Sequence, residues 1–209
     1  MNAPVVGLII LAAGASTRMG MPKQLLLYQG RSFLRHTAEI AIASRCQPIV
    51  VVLGADAERM KPEVNLLPVQ IVENPQWAEG MSSSIRVGIE ALSNLNQNIE
   101  AVTIALCDQP FISSQLLNQI VEAYQVTRRP IIASEYAGSL GVPALFSRTL
   151  FPELMSLKTT AGAKQIIKKY SAEVFHIPFP EGAIDIDTPK DYQEFQVIAD
   201  EALQRRTGI

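Results

Sequence analysis

The chain of 209 residues is predicted to fold as an α/β protein, with a mostly parallel sheet and helices on both faces. Three observations predict it. Short apolar runs alternate with stretches of helical period, the pattern of successive βαβ units. The first apolar run ends in a cluster of small residues, the form a ligand loop takes at the carboxyl end of a strand. The composition, 48% hydrophobic and 18% charged, suits a sizeable core. The arrangement is Rossmann-like, and with no linker, internal repeat or low-complexity segment in view, residues 1–209 read as a single domain.

Residues 5–11 are apolar, rich in β-branched side chains and too short to cross a membrane, so they form the first buried strand. The chain then breaks into Ala12-Ala13-Gly14-Ala15-Ser16-Thr17. Residues this small let a backbone approach a ligand closely and turn its N–H groups toward it. Arg18 and Lys23 follow, so the whole stretch is physically a phosphate-binding arrangement. It is not a Walker loop, because Gly20 is followed by Met21-Pro22 in place of Lys-Ser/Thr. Nor is it the dinucleotide fingerprint, because Ser16 stands where the second glycine belongs.

Ser32-Phe33-Leu34 opens a helix through about Ala43, with Phe33, Thr37 and Ile40 at helical spacing. Pro48 to Gly54 and Val69 to Val72 are strands. Met81 to Leu92 is helical, Ala101 to Leu106 is a strand, and Ser113 to Thr127 is a helix with Leu116, Leu117, Ile120 and Tyr124 inward. Strands at Pro130–Ser134 and Pro143–Phe146 are expected to flank a loop over Tyr136–Gly141. Helices over 147–154 and 161–170, strands near Glu173–Ile177 and Ala183–Ile186, and a last helix from Pro189 complete the prediction.

Ligands of an open parallel sheet bind at the carboxyl ends of its strands, which directs attention to what stands there. Asp108 follows the strand at 101–106 and precedes Pro110. An acid so placed is suited to hold Mg²⁺ on phosphate oxygens, and is equally suited to a turn or cap. In Asp185-Ile186-Asp187-Thr188-Pro189, strand alternation puts Asp185 and Asp187 on one side; capping explains Asp187 or Thr188 better than it explains Asp185. Gly80-Met81-Ser82-Ser83-Ser84 begins a helix with N–H groups, hydroxyls and a positive dipole end, which suits an anion or a serine-rich cap. His36 and His176 stand beside no other candidate and read as structural.

The net charge of -2 and pI near 5.7 give no basic face for nucleic acid. Cys46 and Cys107 have neither disulfide nor zinc spacing and read as buried thiols in a reducing compartment. Met1-Asn2-Ala3-Pro4 lacks a charged leader, and no apolar run approaches 18 residues, so a cytoplasmic protein with no membrane span is expected.

Leu11-Ala12-Ala13-Gly14, Arg18-Met19-Gly20 and Lys23 together resemble the nucleotidyltransferase signature, most closely that of the molybdenum cofactor cytidylyltransferases. Leu106-Cys107-Asp108-Gln109-Pro110, Asn74-Pro75-Gln76-Trp77 with Gly80-Met81, and Asp185-Ile186-Asp187-Thr188-Pro189 resemble further elements of that family. The resemblance implies a nucleotide-diphospho-sugar transferase-like fold and a reaction that moves CMP from CTP to the terminal phosphate of molybdopterin, releasing pyrophosphate. It implies Arg18, Lys23 and Asp108 as catalytic residues, and Leu11, Ala12, Ala13, Gly14 and Lys23 around the nucleotide. Asn74 would lie near the nucleotide, and Ser82, Ser83 and Ser84 near phosphate or pterin. Mg²⁺ would sit on Asp108 and Asp187, with Asp185 second. A molybdopterin-type acceptor and a molybdenum hydroxylase apo-enzyme are the implied partners.

A phosphate nucleophile is already anionic, so no side-chain base is required, in keeping with the absence of a Ser-His-Asp or Cys-His set. Ala13 stands where guanylyl-transferring relatives tend to carry glycine, which implies CTP over GTP. Thr159-Thr160 replace the family's usual Gly-Asp, which bears on the acceptor. Another phosphorylated acceptor, a cofactor-holding chaperone and a dinucleotide-dependent oxidoreductase are the alternatives. If Lys23 and Asp108 stand at the crevice outside the core, Lys23→Ala and Asp108→Asn should leave the melting temperature nearly unchanged.

Overall fold

The computed structural model describes residues 3–158, 162–184 and 186–207. Strand β1 (Val6–Ala12) is fully buried and lies third from one edge of a seven-stranded sheet. It is followed by a small hairpin, β2 (Leu27–Tyr28) and β3 (Arg31–Ser32), then helix α1 (Phe33–Ile42). Next come β4 (Ile49–Leu53), α2 (Ala57–Val64), β5 (Gln70–Glu73), α3 (Met81–Leu95), β6 (Ala101–Leu106) and α4 (Ser114–Thr127). The second half holds β7 (Ile131–Tyr136), β8 (Ser139–Ser147), α5 (Phe151–Met155), α6 (Lys164–Lys169), β9 (Val174–Pro178) and α7 (Pro189–Thr207). The sheet order is β5-β4-β1-β6-β8-β7-β9, with β8 antiparallel to both its neighbours and the other pairings parallel.

Side-chain alternation along β1 divides the core. Leu8, Ile10 and Ala12 face α1, α2 and α4, while Ile9 and Leu11 face α3, α5 and α6. Both faces of a parallel sheet are thus covered, which is why its strands read as unbroken apolar runs. Gly88 lets α3 settle directly onto β1, since a Cβ there would stand 2.8 Å from the Ile9 methyl Cγ2. The carboxyl ends of β1, β4 and β6 therefore lie together beside the start of α3. Among the described residues, no helix is long and apolar enough to cross a membrane.

Two expectations need correction, and one helix is additional to those expected. Residues 57–64, where Arg, Lys and Glu dominate and Pro62 lies inside, form α2, with only Ala57, Met60 and Val64 turned inward. Tyr136–Gly141 is not a loop: β7 and β8 run on until only Ala137 and Gly138 are left to turn the chain. No strand occupies Ala183–Ile186 among the described residues. Pro180–Ala183 is a 3-10 turn, after which Ile186 is buried among Met19, Leu26, Phe33 and Phe195, away from the sheet. Apolar packing against the hairpin and α7, not ladder pairing, fixes that segment.

Candidate active site

The loop after β1 is built with a defined polarity. The carbonyls of Ala12 and Gly14 accept from the Gln24 side-chain amide at 3.1 and 2.7 Å, and that of Ala13 accepts from the Ala55 N–H at 3.0 Å. Among the described residues, the N–H groups of Gly14, Ala15, Ser16 and Thr17 have no protein partner. Carbonyls committed and N–H groups open is the polarity of an anion-binding loop. Ser16 adopts a left-handed φ of 51°, and its hydroxyl accepts from the Lys23 N–H at 3.0 Å, closing the loop onto the next turn.

Three parts of the chain far apart in sequence meet at Lys23. Its Nζ stands 2.5 Å from Asp108 Oδ2, just past β6, and 3.1 Å from Asp187 Oδ1, just before α7. The Arg18 guanidinium, exposed on the rim, reaches the other Asp187 oxygen at 2.5 Å. Burial works to lower the Lys23 pKa, but the Asp108 and Asp187 carboxylates outweigh it and raise it, so the ammonium is charged at any ordinary pH. Asp187 is held in place by the cap of α7: Asp191 accepts from the N–H groups of Asp187 and Thr188 at 3.1 and 2.8 Å, and the Thr188 hydroxyl accepts from the Asp191 N–H. This reciprocal pair is a capping box, and it explains why Thr188-Pro189 opens the helix.

Lys23 and Asp108 border a cleft of about 260 Å³. Leu11, Ala12, Ala13, Gly14 and Lys23 line one side, Asp108 and Cys107 the floor, and Trp77, Gly80, Met81 and Ser84 the other. Burial, with the Asp108 charge beside it, pushes the Cys107 thiol pKa well up, so it acts as a neutral floor residue. Gly80, at φ 105°, aims the first turn of α3 at the cleft. Gly54 holds the walls together, because a Cβ there would lie 2.7 Å from Ala13 Cβ, the Ala13 oxygen and Trp77 Cβ.

The structure thus brings Leu11, Ala12, Ala13, Gly14, Lys23, Ser84 and Asp108 to one cleft, with Arg18 and Asp187 at its edge. Asn74, Ser82 and Ser83 are buried behind it. Asn74 donates to the Ser83 and Ser84 hydroxyls at 2.8 and 2.9 Å and accepts from the Gln76 N–H, so its amide braces the loop ahead of α3. Asp185, Thr159 and Thr160 lie outside the described residues. His36 packs edge-on to Tyr28 and bonds the Pro110 carbonyl; burial lowers its pKa, and it steadies the Asp108 loop as a neutral ring. Sequence reasoning passed over Gln24 and Gly54. Their signal was position alone, one beside Lys23 and the other at the end of a strand.

The acidic groups fit a divalent cation. Asp108 Oδ1 is buried with no hydrogen-bond partner, an acceptor oxygen waiting for a positive charge. Asp187 adds a second hard oxygen donor close by. Among the described residues no cluster of three or more His, Cys, Asp or Glu side chains forms a cage. Two carboxylates that leave the remaining positions to phosphate and water suit Mg²⁺ or Mn²⁺.

Residues 8–174 match the MobA-like NTP transferase domain family. The nicotine blue oxidoreductase of Paenarthrobacter nicotinovorans is 36% identical over 146 residues, spanning 69% of this chain and 68% of that protein. The molybdenum cofactor cytidylyltransferase of Escherichia coli is 24% identical over 188 residues, spanning 88% and 92%. Among solved structures, Rv0371c of Mycobacterium tuberculosis superposes with a TM-score of 0.80 at 28% identity over 93% of this chain and 98% of its own. Its complex with manganese superposes at 0.74 and 26%, over 91% and 97%.

Proposed function

We propose, from the premise that the chain belongs to the MobA-like NTP transferase family and is a nucleotidyltransferase, that it moves CMP from CTP onto the terminal phosphate of a molybdopterin-type acceptor. The observation that carries this reading is the loop after β1, whose carbonyls are committed and whose N–H groups are open beside Arg18 and Lys23. The acceptor phosphate oxygen attacks the α-phosphorus in line; its new P–O bond forms as the bond to the β-phosphate breaks, and pyrophosphate departs with the electron pair. The loop N–H groups, Lys23 and Arg18 take the charge that grows on the leaving group. Asp108 and Asp187 would hold Mg²⁺ or Mn²⁺, which supplies charge neutralisation at the phosphate oxygens when bound. No proton has to be removed from the nucleophile, so positioning and charge supply the catalysis.

The E. coli cytidylyltransferase relative and Ala13 support CTP; the manganese complex of Rv0371c supports a divalent metal. Residues 1–209 would act as one domain, in a reducing cytoplasm that keeps buried Cys46 and Cys107 as thiols, and would hand the product to a molybdenum hydroxylase apo-enzyme. The test is pyrophosphate release from CTP, GTP, ATP and UTP with molybdopterin and Mg²⁺. Release from CTP is expected, and the absence of release from CTP overturns the reading.

The identity of 36% to a protein named an oxidoreductase favours a second reading, in which the cleft takes a nicotinamide dinucleotide and transfers hydride. Ser16 in place of the fingerprint glycine weighs against it. Oxidation of NADH or NADPH with no pyrophosphate released from any triphosphate would establish this reading in place of the first.

A further inference from the structure

Gln24 follows Lys23 in a 3-10 turn and is only 2% exposed. Its side chain runs back beneath the loop after β1. There Nε2 donates to the Ala12 oxygen at 3.1 Å and to the Gly14 oxygen at 2.7 Å, and Oε1 accepts from the Ser16 hydroxyl at 3.2 Å. The same hydroxyl accepts from the Lys23 N–H at 3.0 Å. Gln24 borders the cleft, but both its amide hydrogens are spent on the loop and are not available to a ligand. We propose that Gln24 is a positioning residue of the nucleotide site: its amide locks the loop in the phosphate-binding polarity and fixes where Lys23 stands. This rests on the nucleotidyltransferase reading.

Sterics alone would not hold that polarity. A Cβ at Gly14 would meet nothing within 4 Å, so no neighbour packs against the loop on that side, and a glycine backbone tolerates the conformations that a flip of the 14–15 peptide needs. A flip would exchange the Ala15 N–H for the Gly14 carbonyl and point a negative dipole at a phosphate. The 2.7 Å bond from Gln24 opposes that exchange. Ser16, in a left-handed conformation uncommon for a residue with a side chain, is secured by the same network. Only a primary amide supplies two donors and an acceptor at this length: leucine supplies none, an ionised glutamate no donor, and asparagine is one methylene short.

The test compares wild type, Gln24→Leu and Gln24→Glu by calorimetric titration with inorganic pyrophosphate and Mg²⁺ at two pH values, each variant referred to wild type at the same pH. Gln24→Leu is expected to bind about tenfold more weakly or worse at both pH values, the loss of hydrogen bonds that leaves two carbonyls unsatisfied. Gln24→Glu keeps the shape and is expected to bind weakly near about pH 8. It should recover toward about pH 5, where a protonated buried carboxyl donates one of the two bonds. A role in packing alone would show no such recovery. The KM for CTP should rise in both variants while the KM for the acceptor holds. Wild-type affinity in Gln24→Leu, or weakness of Gln24→Glu that ignores pH, overturns the proposal and leaves the nucleotidyltransferase reading standing. Failure of wild type to bind pyrophosphate overturns both.

Discussion

Lys23 and Asp108 form an ion pair of 2.5 Å at the floor of the cleft, with less than a fifth of either side chain exposed. The Lys23 ammonium also reaches Asp187, so one charge answers two carboxylates from distant parts of the chain. Removing Lys23 strands the Asp108 charge mostly out of water, whereas removing Asp108 leaves the ammonium its second contact, with Asp187. Residues named from sequence as crevice groups, expendable for folding, are therefore part of what holds β6, the loop after β1 and the start of α7 together.

Lys23→Ala and Asp108→Asn should accordingly lower stability as well as abolish transfer. Breaking a buried pair from one side costs about 3–5 kcal/mol; for Lys23→Ala the remaining exposure reduces this to about 2 kcal/mol, or about 4–8 °C for a chain of this length, and Asp108→Asn, which leaves Lys23 paired with Asp187, should lose less. The double variant Lys23→Met, Asp108→Asn removes both charges and should recover part of the loss. Differential scanning calorimetry decides it. Single variants that melt with wild type would show that the pair contributes nothing to the fold.

Metal and pyrophosphate should bind cooperatively. Arg18 and Lys23, proposed for phosphate, are paired with Asp108 and Asp187, proposed for metal. Metal alone must evict Lys23, and pyrophosphate alone must leave both carboxylates uncompensated, whereas together they exchange partners. Coupling of about tenfold or more is expected. Asp187→Asn gives the sharper check, because it frees Arg18 and half of Lys23. Without metal it should bind pyrophosphate more tightly than wild type, while gaining less from added Mg²⁺. A metal-free affinity below that of wild type would contradict this exchange.

The buried strands were legible because a strand covered on both faces must be apolar throughout, as Ile49–Leu53 is. Asp108 and Asp187 were legible as candidates because one follows the end of a strand and the other precedes a helix, and Lys23 because it follows the small-residue loop. Their meeting was not, since 164 residues separate Lys23 from Asp187 and only the folded chain shows one ammonium between two acids. Helix α2 was hidden by its charge and by Pro62. Gln24 was hidden for another reason: a polar residue beside a lysine looks solvated, and nothing local says that it turns inward to serve backbone carbonyls.

The cap of α7 gives a pH dependence of known sign. Hydrogen bonds from Thr188, through its side chain and its N–H, and from the Asp187 N–H lower the pKa of Asp191 below the usual carboxylate value. A group depressed in the folded state contributes stability that is complete above its unfolded value of about 3.9 and is lost as pH falls through its lower folded value. Asp191→Asn should therefore melt below wild type at neutral pH, and the gap should close in that acid window. Melting curves of the two proteins across that range check it. A gap that persists at the lowest pH would mean that the carboxylate acts by shape and not by charge.

Nucleotide choice should follow from the contact of Ala13 with Gly54. The Ala13 methyl lines the cleft, and a Cβ at residue 54 would lie 2.7 Å from it, so the methyl has no space behind it in which to retreat. A single-ring base can pass such a fixed methyl where a two-ring base is crowded. Steric choices of this kind are worth roughly 1–3 kcal/mol, a tenfold to hundredfold preference for CTP over GTP. Ala13→Gly removes the obstruction and should narrow that preference, with CTP turnover largely kept. Gly54→Ala acts in the opposite sense, pressing Ala13 and Trp77 apart, and should lower kcat/KM for both nucleotides, since the loop itself is displaced. The measurement is kcat/KM for the four triphosphates with wild type and both variants. Wild type that uses GTP as readily as CTP would remove the cytidylyl assignment and leave the nucleotidyltransferase itself intact.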